Sequence, residues 1–161
     1  MLLSILHSVR RHSSAGDWGH MQAISMALPF WPTPKGRPRF KVKYNRVYTF
    51  TPRDTREFEN QISDYYKGAA QGYKFPKGTP IIVSLDFGMH IPASTSKRRK
   101  ENMINGLIHH AVKPDLDNLA KSVLDALNGV AWHDDAQIVE LHVQKHYALS
   151  PHIYLSIHEK V

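Results

Sequence analysis

The sequence predicts a single domain of the α/β class (α+β mixed), with a mixed β-sheet of about four to six strands and two main helices. Residues 80–90 alternate between apolar and polar side chains, as a half-buried strand does. Residues 52–72 and 117–128 instead carry apolar side chains at helical spacing. The predicted elements follow one another in the order β-β-β-α-β-α-β-β, which indicates helices packed on a mixed sheet.

The first half of the chain predicts three short strands and a helix. The mostly apolar run 23–30 is a first strand, and residues 40–42 and 46–50 form a hairpin. Thr51 is expected to cap the first helix, because Pro52 suits the first helical position. Gly72 ends that helix.

The second half predicts a strand, a long connection, a helix and two final strands. Residues 91–114 connect strand 80–90 to the second helix and are expected to be partly helical from 96 to 105. Gly129 stands in the stop position of the second helix. Alternating residues at 139–147 and 153–157 predict the last two strands.

Composition indicates a soluble globular protein with a polyanionic partner. The chain of 161 residues has no cysteine, so disulfides and thiolate metal sites are excluded, and a reducing intracellular compartment is compatible. The net charge of +7 favours nucleic acid over an anionic membrane as partner. No apolar run reaches the roughly 18 residues that span a bilayer. The arginines of residues 1–20 follow the apolar run instead of preceding it, which argues against a secretory signal. Residues 1–20 are instead expected to be a disordered extension ahead of a domain over 21–161.

Two basic segments are candidate phosphate-binding surfaces. Residues 35–53 contain seven basic side chains and no acidic one, with aromatic residues interleaved. The hairpin within residues 35–53 is also compatible with an edge that is merely solvated. The run 97–100 is also compatible with a mobile basic flap or with charge that only keeps the protein soluble. Basic side chains that track phosphates are the preferred interpretation. The expected DNA-binding residues are Lys35, Arg37, Arg39, Lys41, Lys43, Arg46, Arg53, Lys97, Arg98, Arg99 and Lys100.

The stretch KPDLDNLAKSVLDALNGVAWHDD carries aspartates at both ends of a predicted helix. One interpretation is structural: an Asp caps a helix start, an Asp pair forms a polar turn, and Lys121 forms surface pairs with Asp117 and Asp125. Two acids at a start that needs one cap favour a second interpretation, a metal site. A helix of this length advances about 18 Å. An extended return over residues 130–135 would cover about 20 Å and bring Asp134 or Asp135 beside Asp115 and Asp117.

Carboxylates gathered without thiolate or imidazole form a hard, oxygen-only site, which suits Mg²⁺, with Mn²⁺ as a substitute. In a basic protein such a site indicates phosphodiester hydrolysis, with Lys121 placed to offset developing charge. The eleven histidines show no spacing typical of a metal site, and none is assigned to one.

The segments PKGRPRF, KPDLDNLAKSVLDALNG and AWHDDAQIVELHVQKHY resemble those of the RusA-type Holliday junction resolvases, in the same order. The resemblance implies that Asp115 and Asp117 are the first two metal-binding aspartates and that Lys121 is the catalytic lysine. It implies a third aspartate within Asp134–Asp135, with Asp135 favoured. It also implies a Mg²⁺-dependent homodimer that makes paired nicks in four-way junction DNA and leaves 5′-phosphate ends. A cytoplasmic, nucleoid-associated protein of a bacterium or its prophage is then expected.

Two alternatives remain on the sequence alone. The acids could be only caps and turns, in which case the chain is a non-catalytic DNA-binding protein whose binding falls steeply with salt. A metal-dependent hydrolase of nucleotides is a weaker possibility, because a small substrate does not need so large a basic surface. The Glu-x-Lys of restriction-type nucleases does not follow Asp115.

Overall fold

The computed structural model describes residues 23–36, 39–43, 46–50 and 52–161. Within the hairpin segments 39–43 and 46–50 it describes the backbone and, of the side chains, only that of Phe40. The expected extension over residues 1–20, the predicted cap Thr51 and the candidate phosphate ligand Arg37 lie outside the described residues.

Four strands form one mixed sheet in the order β1-β6-β4-β5, in which β4 and β5 are parallel and the other neighbours antiparallel. The hairpin strands β2 and β3 pair with each other in a separate two-stranded sheet. The strand bounds are β1 Ala23–Leu28, β2 Arg39–Lys43, β3 Arg46–Phe50, β4 Ile81–His90, β5 Ile138–Ala148 and β6 His152–Glu159.

In the part of the chain that the structure describes, three helices accompany the sheet: α1 (Arg53–Ala69), α2 (Lys97–Ile104) and α3 (Leu116–Leu127). A short 3₁₀ helix, Asp135–Gln137, leads directly into β5. Helices α1 and α3 are strongly amphipathic and pack against each other, so their apolar stripes join one core. None of the helices in the described part of the chain is both long and apolar enough to cross a bilayer.

The core lies between these two helices and one face of the four-stranded sheet. Strand β4 shows why: Val83, Leu85 and Phe87 are buried toward the helices, while Ser84 and Asp86 point to the opposite face. This alternation follows from the period of two along a strand. Helices α1 and α3 do not pack on the opposite face, which carries polar side chains such as Ser84, Asp86 and Ser156.

The predicted class is confirmed, with two differences in detail. The hairpin does not join the main sheet. The helix expected within the long connection is present as α2, in agreement with the sequence. The first helix begins at Arg53 with Pro52 as N-cap, one residue later than predicted, since Pro52 has an extended ψ of 147°.

Candidate functional site

Asp115 occupies the N-cap position of α3, yet its side chain makes no capping hydrogen bond. Its carboxylate instead pairs with the ammonium of Lys113 and is 45% exposed. An N-cap aspartate normally accepts a bond from a backbone N–H of the first turn. The interpretation of Asp115 as a helix cap therefore lacks the hydrogen bond that defines such a cap.

Asp117 lies in the first turn of α3, and Lys121 follows one turn later on the same face. Both side chains are exposed, whereas Leu119 and Val123 on the other side of the helix are fully buried. The amphipathic pattern of α3 therefore fixes which way the two charged groups point. A carboxylate and an ammonium are presented together to solvent beside Asp115.

The loop that precedes α3 is fastened to strand β5. The ammonium of Lys145 donates to the carbonyl oxygen of Val112 at 2.8 Å and to that of Pro114 at 2.7 Å. His110 packs its ring against Tyr147 with centroids 4.7 Å apart, and burial together with the charge of Lys145 lowers the pKa of His110. These contacts hold the start of α3 beside the end of β5.

Asp134 has a structural task at the other end of α3. Its side chain accepts from the backbone N–H of Ala136 at 2.8 Å and caps the 3₁₀ helix, in a capping box completed by Gln137. The amide of Gln137 also donates to the carbonyls of Pro76 and Thr79, which ties this turn to the start of β4. Asp134 is therefore explained by local structure.

Asp135 is oriented by the core. One carboxylate oxygen, Oδ1, accepts from the indole N–H of Trp132 at 2.7 Å. Trp132 is fully buried, so its indole N–H requires a partner and Asp135 provides it. Buried neighbours thus fix the position of this carboxylate, as they would for a group that must meet a ligand in one geometry.

The expected return of the chain along α3 is not observed. Residues 129–131 form a turn in which the N–H groups of Val130 and Ala131 both donate to the carbonyl of Leu127. Ile138 then pairs with Ile81 at the start of β4. Because a glycine-initiated turn replaces the extended segment, Asp134 and Asp135 stay at the C-terminal end of α3.

Asp115 and Asp117 consequently lie at one end of α3, and Asp135 lies at the other. The helix has 12 residues and advances about 18 Å. Among the described residues, one group of three His or acidic side chains brings its ligand atoms within 4.8 Å of one another, and it is Asp86, His146 and His152. No spacing in the sequence indicates this group, because its members come from three strands that meet only in the folded sheet.

Some of the predicted DNA-binding residues form ion pairs within the chain, and others are exposed at the surface. The ammonium of Lys35 contacts Asp125 at 2.7 Å and also pairs with Glu59. Burial opposes its charge, but these two acids outweigh burial and raise the pKa of Lys35. Asp125 therefore pairs with Lys35, not with Lys121 as the structural interpretation expected. Lys35 joins helices α1 and α3, a structural task in addition to the predicted phosphate contact.

Arg53 pairs with Glu57 on the exposed side of α1 at 2.6 Å. The run Lys97–Arg98–Arg99–Lys100 is exposed throughout and occupies the first turn of α2, which carries no acidic side chain. Positive charge at a helix N-terminus opposes the helix dipole by about 0.3–1 kcal/mol per group. A bound anion would relieve that cost. The side chains of Arg39, Lys41, Lys43 and Arg46 lie outside the described ones, so their roles stay predictions.

Comparison with known proteins adds the family. A sequence profile described as Endodeoxyribonuclease RusA matches residues 29–158. The uncharacterized protein YqaN of Bacillus subtilis (strain 168) is 32% identical over 143 residues, which cover 86% of this chain and 98% of that protein. The RusA family comprises divalent-metal-dependent endonucleases that resolve Holliday junctions. The present chain belongs to the RusA endodeoxyribonuclease family.

Proposed function

We propose that this protein is a Mg²⁺-dependent, structure-selective endodeoxyribonuclease that resolves four-way DNA junctions by paired symmetric nicks and leaves 5′-phosphate ends. Mn²⁺ is a candidate substitute for Mg²⁺. The observation that carries the proposal is the N-cap of α3, where Asp115 makes no capping hydrogen bond and stands beside the exposed Asp117 and Lys121. Residues that stabilise only the helix would not be arranged in this way.

The donor set fits a hard divalent ion. Asp115, Asp117 and Asp135 offer oxygen atoms alone, which Mg²⁺ and Mn²⁺ prefer. Asp134 is a weaker candidate than Asp135, because its carboxylate already caps the 3₁₀ helix. When bound, the ion would polarise the phosphate and favour ionisation of the attacking water. Lys121 would stabilise the negative charge that develops on the phosphate oxygens.

A homodimer accounts for the separation of these acids within one chain. Two ligands of one ion stand no more than about 4.2 Å apart, since each bond is about 2.1 Å. The roughly 18 Å along α3 exceeds that limit several-fold. The proposed metal site would therefore be incomplete within a single chain, and a second chain would supply the remaining carboxylate.

Strand β5 offers the surface for such a pairing. It lies at an edge of the four-stranded sheet, extends over 11 residues, and exposes Val139 and Leu141. Antiparallel pairing of β5 with its two-fold mate would set the start of one strand beside the end of the other. Asp135 precedes the start of β5, and Lys145 holds Pro114 near its end. The mate's Asp135 would then approach Asp115 and Asp117.

The junction would be bound by the basic surfaces. The exposed run 97–100 at the start of α2 is one described part of these surfaces, and Arg98 and Arg99 line a groove of about 290 Å³. The basic hairpin and Arg37 are proposed as further phosphate contacts. Both surfaces recognise backbone charge, so selectivity for a junction would come from its shape and from the two-fold arrangement of sites.

Incubation of the purified protein with a labelled four-way junction tests the proposal, with Mg²⁺ in one arm and a chelator in the other. The wild type is expected to nick opposing strands only with metal, and Asp117→Asn is expected to bind junctions without cutting them. Asp64→Asn is a matched control, because Asp64 is an exposed aspartate on α1. Normal cleavage by Asp117→Asn would refute the assignment. Binding without any nick in either arm would instead identify a non-catalytic junction-binding protein.

A further inference from the structure

The sheet face opposite the helices carries a second cluster of metal-binding chemistry. Asp86, His146 and His152 come from β4, β5 and β6, and their ligand atoms lie within 4.8 Å of one another. Helices α1 and α3 pack on the other face of this sheet, so the cluster is separate from the acids of α3. We propose that these three side chains bind a divalent transition-metal ion of the Zn²⁺ class, distinct from the Mg²⁺ of the nuclease site.

The register of the sheet places the two histidines on either side of Gly88. Gly88 is the partner of His146 across the β4–β5 ladder and of His152 across the β4–β6 ladder. Asp86 stands two residues earlier on the same face of β4. Three potential ligands on adjacent strands therefore point to the same side and surround one position without a side chain.

Gly88 makes room for the ring of His152. A Cβ atom built at Gly88 would lie 2.3 Å from Cε1 and 2.4 Å from Nδ1 of that ring. The ring therefore lies over the glycine and is directed toward His146, with ring centroids 5.6 Å apart. Any larger residue at position 88 would displace His152 from the cluster.

The polar contacts of the triad leave metal-binding atoms available. Nδ1 of His152 lies 2.9 Å from the carbonyl oxygen of Ser150. A carbonyl only accepts, so Nδ1 carries the proton and Nε2 keeps its lone pair. A backbone carbonyl that fixes the tautomer in this way is the usual outer partner of a metal-bound histidine.

Asp86 supplies the most direct indication. Its Oδ1 is shielded from solvent and has no hydrogen-bond partner, although Nδ1 of His146 lies only 3.0 Å away. The two atoms nevertheless form no hydrogen bond. Two ligands 3.0 Å apart would subtend about 90° at an ion with bonds of about 2.1 Å, which is a normal coordination angle. A cation would satisfy an oxygen that the protein leaves without a donor.

The ligand types decide the class of metal. Two imidazoles and one carboxylate suit Zn²⁺, Ni²⁺ or Fe²⁺, whereas Mg²⁺ prefers oxygen alone. Because the ligands come from three neighbouring strands, the ion would join the C-terminal half of β4 to β5 and β6. Its binding would stabilise the folded chain, since the unfolded chain lacks the assembled site.

Calorimetric titration of the full chain with Zn²⁺ tests this inference, with any polyhistidine tag removed and Mg²⁺ in excess. We expect one Zn²⁺ per chain and a melting temperature that rises with Zn²⁺. Loss of an outer-shell partner costs about 10–100-fold in affinity, so His146→Ala or His152→Ala should weaken binding at least about 100-fold. His142→Ala is the matched control, because His142 lies on the same strand and the same face, four residues before His146. Its affinity should be unchanged.

Two further variants separate this site from the nuclease site and from a folding defect. Asp117→Asn should bind Zn²⁺ like the wild type. Gly88→Ala retains all three ligands, and its methyl group displaces only a movable ring, so it should fold normally and bind Zn²⁺ more weakly. Absence of saturable Zn²⁺ binding by the wild type would overturn the proposal. Equal affinity in the wild type and in His146→Ala/His152→Ala would overturn it as well.

Discussion

A complementation experiment follows directly from the positions of the acidic residues. Asp117 and Asp135 stand at opposite ends of α3, a 12-residue helix that advances about 18 Å, against a limit of about 4 Å for two ligands of one ion. If each site takes Asp117 from one chain and Asp135 from its partner, Asp117→Asn and Asp135→Asn homodimers are both inactive. A mixed dimer then has one intact site and one site with both substitutions.

The expected cleavage activity follows from the number of intact sites. Random pairing of the two chains makes about half of the dimers mixed, each with one of its two sites intact, so about a quarter of the wild-type sites return. Mixed dimers isolated by two different affinity tags should nick a junction at about half the wild-type rate per dimer. They should cut one strand per binding event, whereas the wild type is expected to make paired nicks.

The assay uses a junction with a separate label on each strand, so that single and paired nicks are distinguished. Co-expression ensures that mixed dimers form, and recovery through both tags verifies them. An Asp117→Asn and Asp64→Asn pair is the control: Asp64 is an exposed aspartate of α1 that is not among the proposed ligands, so its mixed dimer should retain one normal site by either arrangement. Mixed Asp117→Asn and Asp135→Asn dimers as inactive as their parents would refute a site shared between subunits.

Three other perturbations test individual contacts. Trp132→Phe removes the indole donor to Asp135, and we expect the unfolding free energy to fall by about 1–3 kcal/mol. Cleavage, measured under conditions where the variant is fully folded, should fall by more than this loss of stability explains. Lys145→Met removes the hydrogen bonds to the carbonyls of Val112 and Pro114. Denaturant titration should then give an unfolding free energy lower by about 1–3 kcal/mol. An unchanged value would show that these bonds do not stabilise the loop. Burial and the charge of Lys145 lower the pKa of His110 below its ordinary 6.5, so the unfolded chain binds this proton more readily. The contribution of the neutral His110 side chain to the free energy of unfolding is therefore present above pH 6.5 and is lost as pH falls below it. His110→Phe should flatten the fall in unfolding free energy over that range relative to the wild type, and parallel curves would contradict this.

Local patterns in the sequence determined most of the fold. Alternation along β4 and the apolar stripes of α1 and α3 depend on residues near one another in the chain, so their periods predict both the element and its buried face. The acids at the start of α3 form a local pattern too, because two aspartates stand where a helix needs one cap. The hairpin shows the limit of this reasoning, because pairing between distant strands decides whether it joins the main sheet.

Tertiary structure alone decided where the far aspartates lie and what the histidines do. The expected return beside Asp115 required an extended segment, but the hydrogen bonds of a turn after Leu127 keep Asp135 at the other end of α3. The triad of Asp86, His146 and His152 has no signature along the chain, because its members stand on three strands and meet only through the register across Gly88. Residue types and local periods reside in the sequence, whereas the distances between remote side chains arise only when the sheet is paired.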